Sequence, residues 1–140
     1  DEMNIKSSLM VALIASIMLV GVAAAEYPDA GDTWSTAKSF SYSGQYTYVD
    51  GTLTASPADG KDCWYSNSYA VNDWLELYLD STSVNKGVKA EMFDNDGDLM
   101  QRVQKGNNAV LDYTLDRSPV HVDVTGFPGD GDYTFTVYKR

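Results

Sequence analysis

The pattern of hydrophobic and polar positions divides the chain into two parts that need different surroundings. Residues 7–25 (SSLMVALIASIMLVGVAAA) form a run of 19 residues without a charged side chain. As a helix this run reaches about 28 Å, close to the thickness of a bilayer's hydrocarbon core. From Glu26 onward charged and turn-forming residues are frequent. The sequence therefore predicts a hydrophobic α-helix over residues 1–25, a joint over 26–32 and a folded domain over 33–140.

Apolar and polar residues alternate along most of this domain, which is the periodicity of β-strands. The segments that alternate are 45–53, 74–79, 87–93, 99–103, 109–115, 120–124 and 133–138. Turn sequences such as Asp94–Gly97 and Gly126–Gly131 separate them, and only residues 33–38 suggest a helical turn. The pattern predicts an all-β fold, an antiparallel sandwich of two sheets with about seven to nine strands.

Two residues with reactive side chains occur once each. His121 lies between Val120 and Val122, so the alternation predicts that it points outward as a surface histidine. Cys63 stands beside Trp64 in a predicted strand and is expected to be a buried, apolar residue. As the single cysteine it has no partner for a disulfide within the chain, and a disulfide between chains is the alternative. Neither residue has the neighbours in sequence that a catalytic triad or an activated thiol requires. We therefore expect no enzymatic activity.

The charge of the chain limits its partners. It carries 20 acidic and 10 basic residues, a net charge of −10. Such a surface repels the phosphates of nucleic acids and the headgroups of anionic lipids, so nucleic acid is excluded as a partner. With ten tyrosines, three tryptophans and four phenylalanines, the chain has the aromatic area to build a core without disulfides.

One acidic segment is a candidate metal site. Asp94, Asp96 and Asp98 alternate along the chain, and their carboxylates are candidate calcium ligands. An EF-hand requires glycine at its sixth position and glutamate at its twelfth, where this chain has Leu99 and Lys105. The same residues also fit a plain hairpin turn, so both interpretations stay open. Calcium is the one candidate ion, and no other cofactor is expected.

Several aromatic residues are candidates for a binding platform. Tyr46 and Tyr48 are two residues apart in a predicted strand, which places their rings side by side on one face. Together with Tyr42, Trp34 and Trp74 they could form a flat surface for sugars. The alternative is that these side chains pack between the sheets or between subunits.

Five segments of the domain carry a family resemblance. They are DAGDTWSTA (29–37), GTL (51–53), DGKDCWY (59–65), MFDNDGDL (92–99) and the closing segment 122–137. In order and spacing they resemble the bacterial and archaeal pre-peptidase C-terminal domain, a small β-sandwich appended to secreted peptidases and other exported proteins. The resemblance implies a sandwich over residues 29–138 and an extracellular accessory role in binding, adhesion or stabilisation, without catalysis. Cys63 departs from the apolar residue more usual at its position.

The apolar N-terminal segment allows three fates. Lys6 before it and Ala23–Ala25 at its end are typical of a secretory signal that is cleaved before Glu26. The lack of basic residues just after the segment fits a membrane anchor with the acidic domain outside. Small residues such as Ala12 and Gly21 would allow close helix packing in the core of a protein polymer. All three fates place the domain outside the cell.

Two functional hypotheses follow. The first is a non-enzymatic extracellular structural protein, a pilus-like filament subunit whose N-terminal helix packs with other copies in a homopolymer while the sandwich lies outside. The second is a secreted accessory binding or adhesion module, released by cleavage before Glu26, that binds polysaccharide or a cell surface. In both, the protein contacts a membrane only during export or before assembly, and it functions at the cell surface or beyond.

Overall fold

The computed structural model describes residues 30–83 and 87–140. In these ranges a 3₁₀ turn at Trp34–Thr36 precedes nine strands. The strands are β1 (Lys38–Ser39), β2 (Tyr46–Leu53), β3 (Lys61–Ser66), β4 (Leu75–Ser81), β5 (Lys89–Phe93), β6 (Leu99–Gln104), β7 (Ala109–Val110), β8 (Val120–Thr125) and β9 (Gly131–Lys139). Across the same ranges, no helix has the length and apolar character needed to cross a bilayer. The predicted helix over 1–25 and the first part of the joint, 26–29, lie outside the described residues.

The strands form two sheets of unequal size, which confirms the predicted sandwich. One sheet has the strand order β1-β3-β8-β5-β6-β7, and the other has the order β2-β9-β4. All pairings are antiparallel except the short one between β1 and β3, where Lys38 and Ser39 run parallel to Trp64 and Tyr65. Each sheet therefore has one face toward the shared core and one face directed outward.

Alternation along the strands determines which side chains form the core. Phe135 and Val137 of β9 are fully buried, and so are Val120, Val122 and Val124 of β8 in the facing sheet. Full burial of an apolar side chain of this size stabilises the folded state by about 1.5–3 kcal/mol. Because β8 and β9 are interior strands of their sheets, their side chains form the centre of the core.

A chain of polar contacts crosses the core between the sheets. Trp64 on β3 donates from Nε1 to the Tyr133 hydroxyl on β9 over 2.9 Å, and that hydroxyl donates to Asp62 Oδ2 over 2.5 Å. Burial, and after it the charge of Asp62, raise the pKa of Tyr133 well above its usual range. The hydroxyl thus stays a proton donor, and the two sheets are joined by directional bonds in addition to apolar contact.

Gln101 makes a second polar connection between the sheets. Its Nε2 donates to the backbone oxygens of Leu75 (2.7 Å) and Asp112 (3.2 Å), while Oε1 accepts from the N–H of Leu77 (2.9 Å). Leu75 and Leu77 belong to β4, whose other edge pairs with β9. The buried amide therefore satisfies backbone groups of β4, which lies at the edge of the smaller sheet.

The predicted strand over 109–115 is wrong beyond Val110. The N–H groups of Leu111 and Asp112 both donate to Met100 O, over 2.8 and 3.1 Å, and Asp112 Oδ1 then accepts from the N–H of Thr114. This turn ends β7 and leaves the Leu111 side chain 69 % exposed, although alternation placed it on the same side of the strand as Leu115, which is fully buried. The polar side chain of Asp112 competes with the ladder for backbone donors, which ends the strand.

Gly51 allows β2 to pass close to the Tyr133 ring. A Cβ at this position would overlap the Tyr133 hydroxyl and the ring carbon that bears it. The glycine of the GTL segment therefore has a packing role, since any side chain there would displace the phenol from its bonds to Trp64 and Asp62.

We expect Gly51→Ala to lower the free energy of unfolding by about 1–3 kcal/mol, because the added methyl overpacks a rigid part of the core. Urea unfolding followed by tryptophan fluorescence measures the loss. In a Tyr133→Leu background the same substitution should cost clearly less, since the phenol it collides with is gone. An equal cost in both backgrounds would contradict the steric explanation.

Candidate functional site

The outer face of the three-stranded sheet carries rows of side chains from three strands. Because β2, β9 and β4 pair in register, the rows are Tyr46–Tyr138–Glu76, Tyr48–Thr136–Tyr78 and Asp50–Thr134–Asp80. Neighbouring strands lie about 4.8 Å apart and successive rows about 7 Å apart. We call the surface formed by Tyr46, Tyr48, Tyr78 and Tyr138 the tyrosine face.

The tyrosine face exposes a large aromatic area to solvent. Tyr48 is 67 % exposed, Tyr46 48 % and Tyr78 45 %. The Tyr46 ring centroid lies 6.4 Å from that of Tyr48, with the ring planes 19° apart, and 4.8 Å from that of Tyr138. Contiguous exposed aromatic surface is uncommon and marks sites of interaction. The alternative that Tyr46 and Tyr48 pack between the two sheets is therefore wrong.

Trp74 extends the tyrosine face at one end. Its ring stacks on Tyr113 at 4.6 Å with the planes 9° apart, and it meets Tyr138 edge-on at 6.0 Å. The Arg140 guanidinium lies 5.2 Å from the centroid of the Trp74 ring. These contacts hold the indole in one orientation. The platform predicted from sequence thus has Tyr46, Tyr48 and Trp74 in common with the observed one.

Two members of the predicted platform lie elsewhere. Trp34 covers the outer face of the other sheet, and Tyr42 packs edge-on against Tyr69 at 5.9 Å beneath the Lys139 ammonium. The sequence interpretation also missed Tyr78 and Tyr138. Both alternate outward from strands that were predicted, but the alternation of one strand does not say which strand lies beside it.

Carboxylates flank the tyrosines on the same face. Asp50 Oδ1 accepts from the Thr134 hydroxyl over 2.5 Å, and Asp80 stands on the other side of Thr134 in the same row. Glu76 lies next to Tyr138 in its row. Desolvation, and after it a hydrogen bond with Glu76, raise the pKa of the Tyr78 hydroxyl. The face thus combines aromatic rings with a negative potential.

The 3₁₀ turn covers the part of the six-stranded sheet's outer face that holds His121 and Asp123. The Trp34 indole stacks on the His121 ring at 3.8 Å with the planes 3° apart, and its Nε1 donates to Asp123 Oδ1 over 3.0 Å. Lys61 Nζ lies 3.4 Å from the other oxygen of Asp123. The prediction of a surface His121 is therefore wrong: the residue points away from the core, yet Trp34 leaves it only 6 % exposed.

His121 and Cys63 occupy buried positions under this cover. His121 Nε2 lies 3.3 Å from Asn95 Oδ1, and burial lowers the pKa of the imidazole. Cys63 is fully buried, as predicted, and desolvation together with Asp123 raises the pKa of its thiol to about 12. A neutral imidazole stacked under the Trp34 indole is suited to holding the start of the domain against the sheet.

The calcium candidates Asp94, Asp96 and Asp98 lie in the turn between β5 and β6. Their ligand oxygens lie within 4.8 Å of one another. Asp94 is buried, and its Oδ1 accepts from the N–H groups of Asp96 (2.9 Å) and Asp98 (3.0 Å). Asp96 Oδ2 lies 3.0 Å from Arg117 Nε. The fold brings the three carboxylates together, two of them already with partners, and calcium binding stays a prediction.

Comparison with known proteins identifies the fold. No family model matches the chain, and no curated protein matches it either. Among solved structures it is similar to the pre-peptidase C-terminal domain of a collagenase from Bacillus anthracis, with a TM-score of 0.50 and 12 % sequence identity. The similarity covers 74 % of this chain and 93 % of that domain. The chain therefore has a sandwich like that of pre-peptidase C-terminal domains, and at this identity the likeness concerns the fold alone.

We expect stability to fall between pH 7.5 and pH 5.5 because of His121. Burial lowers the pKa of the folded imidazole, whereas the unfolded chain has the ordinary value of about 6.5. As the pH drops below that value, the unfolded state binds a proton that the folded state does not, so the free energy of unfolding decreases. Each unit of pKa difference accounts for about 1.4 kcal/mol once the pH is below both values. Urea unfolding at pH 7.5, 6.5 and 5.5 measures the slope of the free energy of unfolding against pH.

His121→Gln is the control, because the chain contains no other histidine and glutamine does not titrate. The variant should lose most of the slope in this window. If it kept the slope of the unsubstituted chain, the pH dependence would belong to other groups.

We expect calcium to stabilise the domain weakly through Asp94, Asp96 and Asp98. With few free oxygen ligands, the dissociation constant should lie near 10⁻⁴–10⁻³ M, the range of extracellular modules. At a calcium concentration ten times the dissociation constant, the gain is about 1.4 kcal/mol. Thermal unfolding with and without calcium measures it, and Asp98→Asn should remove the gain. If calcium did not raise the unfolding temperature, or if magnesium raised it equally, a calcium site would be excluded.

Proposed function

We propose that this protein is a non-enzymatic binding module that functions outside the cell and holds a polysaccharide on its tyrosine face. The observation that carries the proposal is the cluster of exposed Tyr46, Tyr48 and Tyr78 on one sheet surface, with Trp74 at its end. Aromatic rings of this kind offer a negative π-face to the C–H groups on the flat side of a sugar ring. Hydroxyl and carboxylate groups between them can bind sugar hydroxyls.

The sheet beneath the rings supports this proposal. β9 is the central strand and pairs on both sides, while its inward side chains Phe135 and Val137 are fully buried. The tyrosines therefore stand on a rigid surface, and a tyrosine has only two side-chain torsions to restrict on binding. Less conformational entropy is lost when a ligand docks on groups that are already ordered.

The shape of the surface favours a polymer over a small molecule. Small ligands bind in concave pockets that enclose most of their surface, whereas the tyrosine face is one side of an open sheet. The distance from Tyr46 to Asp50 along β2 is about 14 Å. Several sugar units can lie along that length, so many weak contacts would add up along one chain.

Other features support an accessory role outside the cell. The segment 7–25 is suited to export, and the fold resembles a domain that occurs in a collagenase. The thiol of Cys63, with a pKa of about 12, and the covered imidazole of His121 are poorly placed for catalysis. A module that binds a substrate or a surface for another protein requires neither group.

The filament-subunit hypothesis stays a prediction. It depends on residues 1–25, which would pack with other copies in a homopolymer and which lie outside the described residues. Nothing in residues 30–83 and 87–140 favours it over the binding module. The intact mass of the native protein separates the two, because a filament subunit keeps residues 1–25 and a released module begins at Glu26.

We expect Tyr48→Ala and Tyr78→Ala each to weaken polysaccharide binding roughly 5- to 30-fold, because each removes an exposed ring at the centre of the face. Affinity electrophoresis of the full chain through gels that contain soluble glucan, mannan or chitin derivatives measures the retardation. Retardation in any of these gels identifies a polymer for quantitative titration.

The matched control is Phe127→Ala, which removes an aromatic ring that is 68 % exposed in the connection before β9. It should leave the retardation unchanged, and circular dichroism should show that all three variants are folded. If the tyrosine variants bound as well as the Phe127 variant, the tyrosine face would not be the binding site.

A further inference from the structure

Carboxylates stand in register with the tyrosines, and from this we infer that the face selects polysaccharides of amino sugars whose ammonium groups are free. This inference rests on the proposed function and names the substrate class of the same site. Asp50 and Asp80 form the row next to Tyr48 and Tyr78, and Glu76 lies in the row of Tyr46.

The two aspartates are placed to receive cations. Both are exposed, and they lie on the two outer strands of the sheet, about 10 Å apart. Asp50 accepts from the neutral Thr134 hydroxyl. Among the described ion pairs, none involves Asp50 or Asp80. Their charge therefore acts on whatever lies over the face.

The basic residues of this sheet lie at the opposite end and are already engaged. Lys139 Nζ is 3.0 Å from Asp73 Oδ2, and Arg140 covers the Trp74 ring. Neither residue belongs to the rows that hold Asp50 and Asp80. With a chain that carries a net charge of −10, an anionic polysaccharide would be repelled from the face.

An ammonium group is attracted both by the aromatic rings and by the carboxylates of the tyrosine face. Exposed aromatic rings attract cations through their π-faces, and carboxylates attract them by charge. A sugar ring stacked on Tyr48 directs the groups at its edge toward the neighbouring row, about 7 Å away, where Asp50 stands. A neutral sugar polymer would use the rings alone. An amino-sugar polymer uses rings and carboxylates together, and it is the partner whose chemistry matches the whole face.

The test compares two ligands with the same backbone. A β-1,4-linked glucosamine hexamer carries free amines, and its N-acetylated form carries neutral amides. Titration of the full chain at pH 6 and low salt should give roughly 5- to 20-fold tighter binding of the amine form, the scale of two exposed ion pairs. The preference should shrink as salt is added, because salt screens exposed charges.

Variants separate the two contributions to binding. Asp50→Asn together with Asp80→Asn should abolish the preference while leaving the affinity for the N-acetylated hexamer nearly unchanged, because asparagine keeps the shape and the acceptor for Thr134. Asp116→Asn, an exposed carboxylate outside the rows, is the control and should keep the preference. Tyr48→Ala should weaken the binding of both hexamers.

The outcomes distinguish this inference from the proposed function. Equal binding of the two hexamers, with both weakened by Tyr48→Ala, overturns the preference for amino sugars and leaves polysaccharide binding in place. No binding of either hexamer or of any neutral polysaccharide overturns the proposed function as well. If oligolysine of equal charge binds as tightly as the glucosamine hexamer, and Tyr48→Ala does not weaken oligolysine binding, the face binds cations without selecting sugars and the inference fails.

Discussion

The double pairing of β9 is the constraint on which the rest of the structure depends. Its residues Gly131–Lys139 pair with β2 on one side and with β4 on the other along nearly their full lengths. One side of β9 then supplies Tyr133, Phe135 and Val137 to the core, and the other side lies between the tyrosines of two neighbours. Without this strand neither the smaller sheet nor the tyrosine face would exist, because β2 and β4 do not pair with each other.

Polar bonds set how the two sheets stack. Apolar contact alone is non-directional, whereas the Trp64–Tyr133–Asp62 chain and the Gln101 amide each require one relative position of the sheets. An error in stacking would leave these buried groups without partners, which costs about 1–3 kcal/mol for each neutral group. Gly51 is required for the same stacking, since it makes room for the Tyr133 phenol that joins the sheets.

The two outer faces of the sandwich differ in how far their side chains are exposed to solvent, and the candidate function follows from that difference. Over the six-stranded sheet, Trp34 covers His121 and binds Asp123, so polar groups that alternation directs outward are nevertheless buried. Over the three-stranded sheet, the tyrosines stay in contact with solvent although they offer as much apolar area as core residues. Exposed rings beside carboxylates, on a strand scaffold that does not need to rearrange, are the arrangement of a binding surface.

The sequence by itself determined the class of fold, most strand positions and which side chains of β4, β5 and β9 face the core. Those features are local, because alternation with a period of two and an Asp-Gly turn are read within a few residues. Segments with family resemblance also predicted the type of sandwich. Only the tertiary structure decided that Tyr138 lies beside Tyr46, that Trp34 covers His121, and that Asp112 ends β7. Each of these depends on a contact between residues far apart in the chain or on competition for backbone donors, and the packing of whole elements settles such contacts.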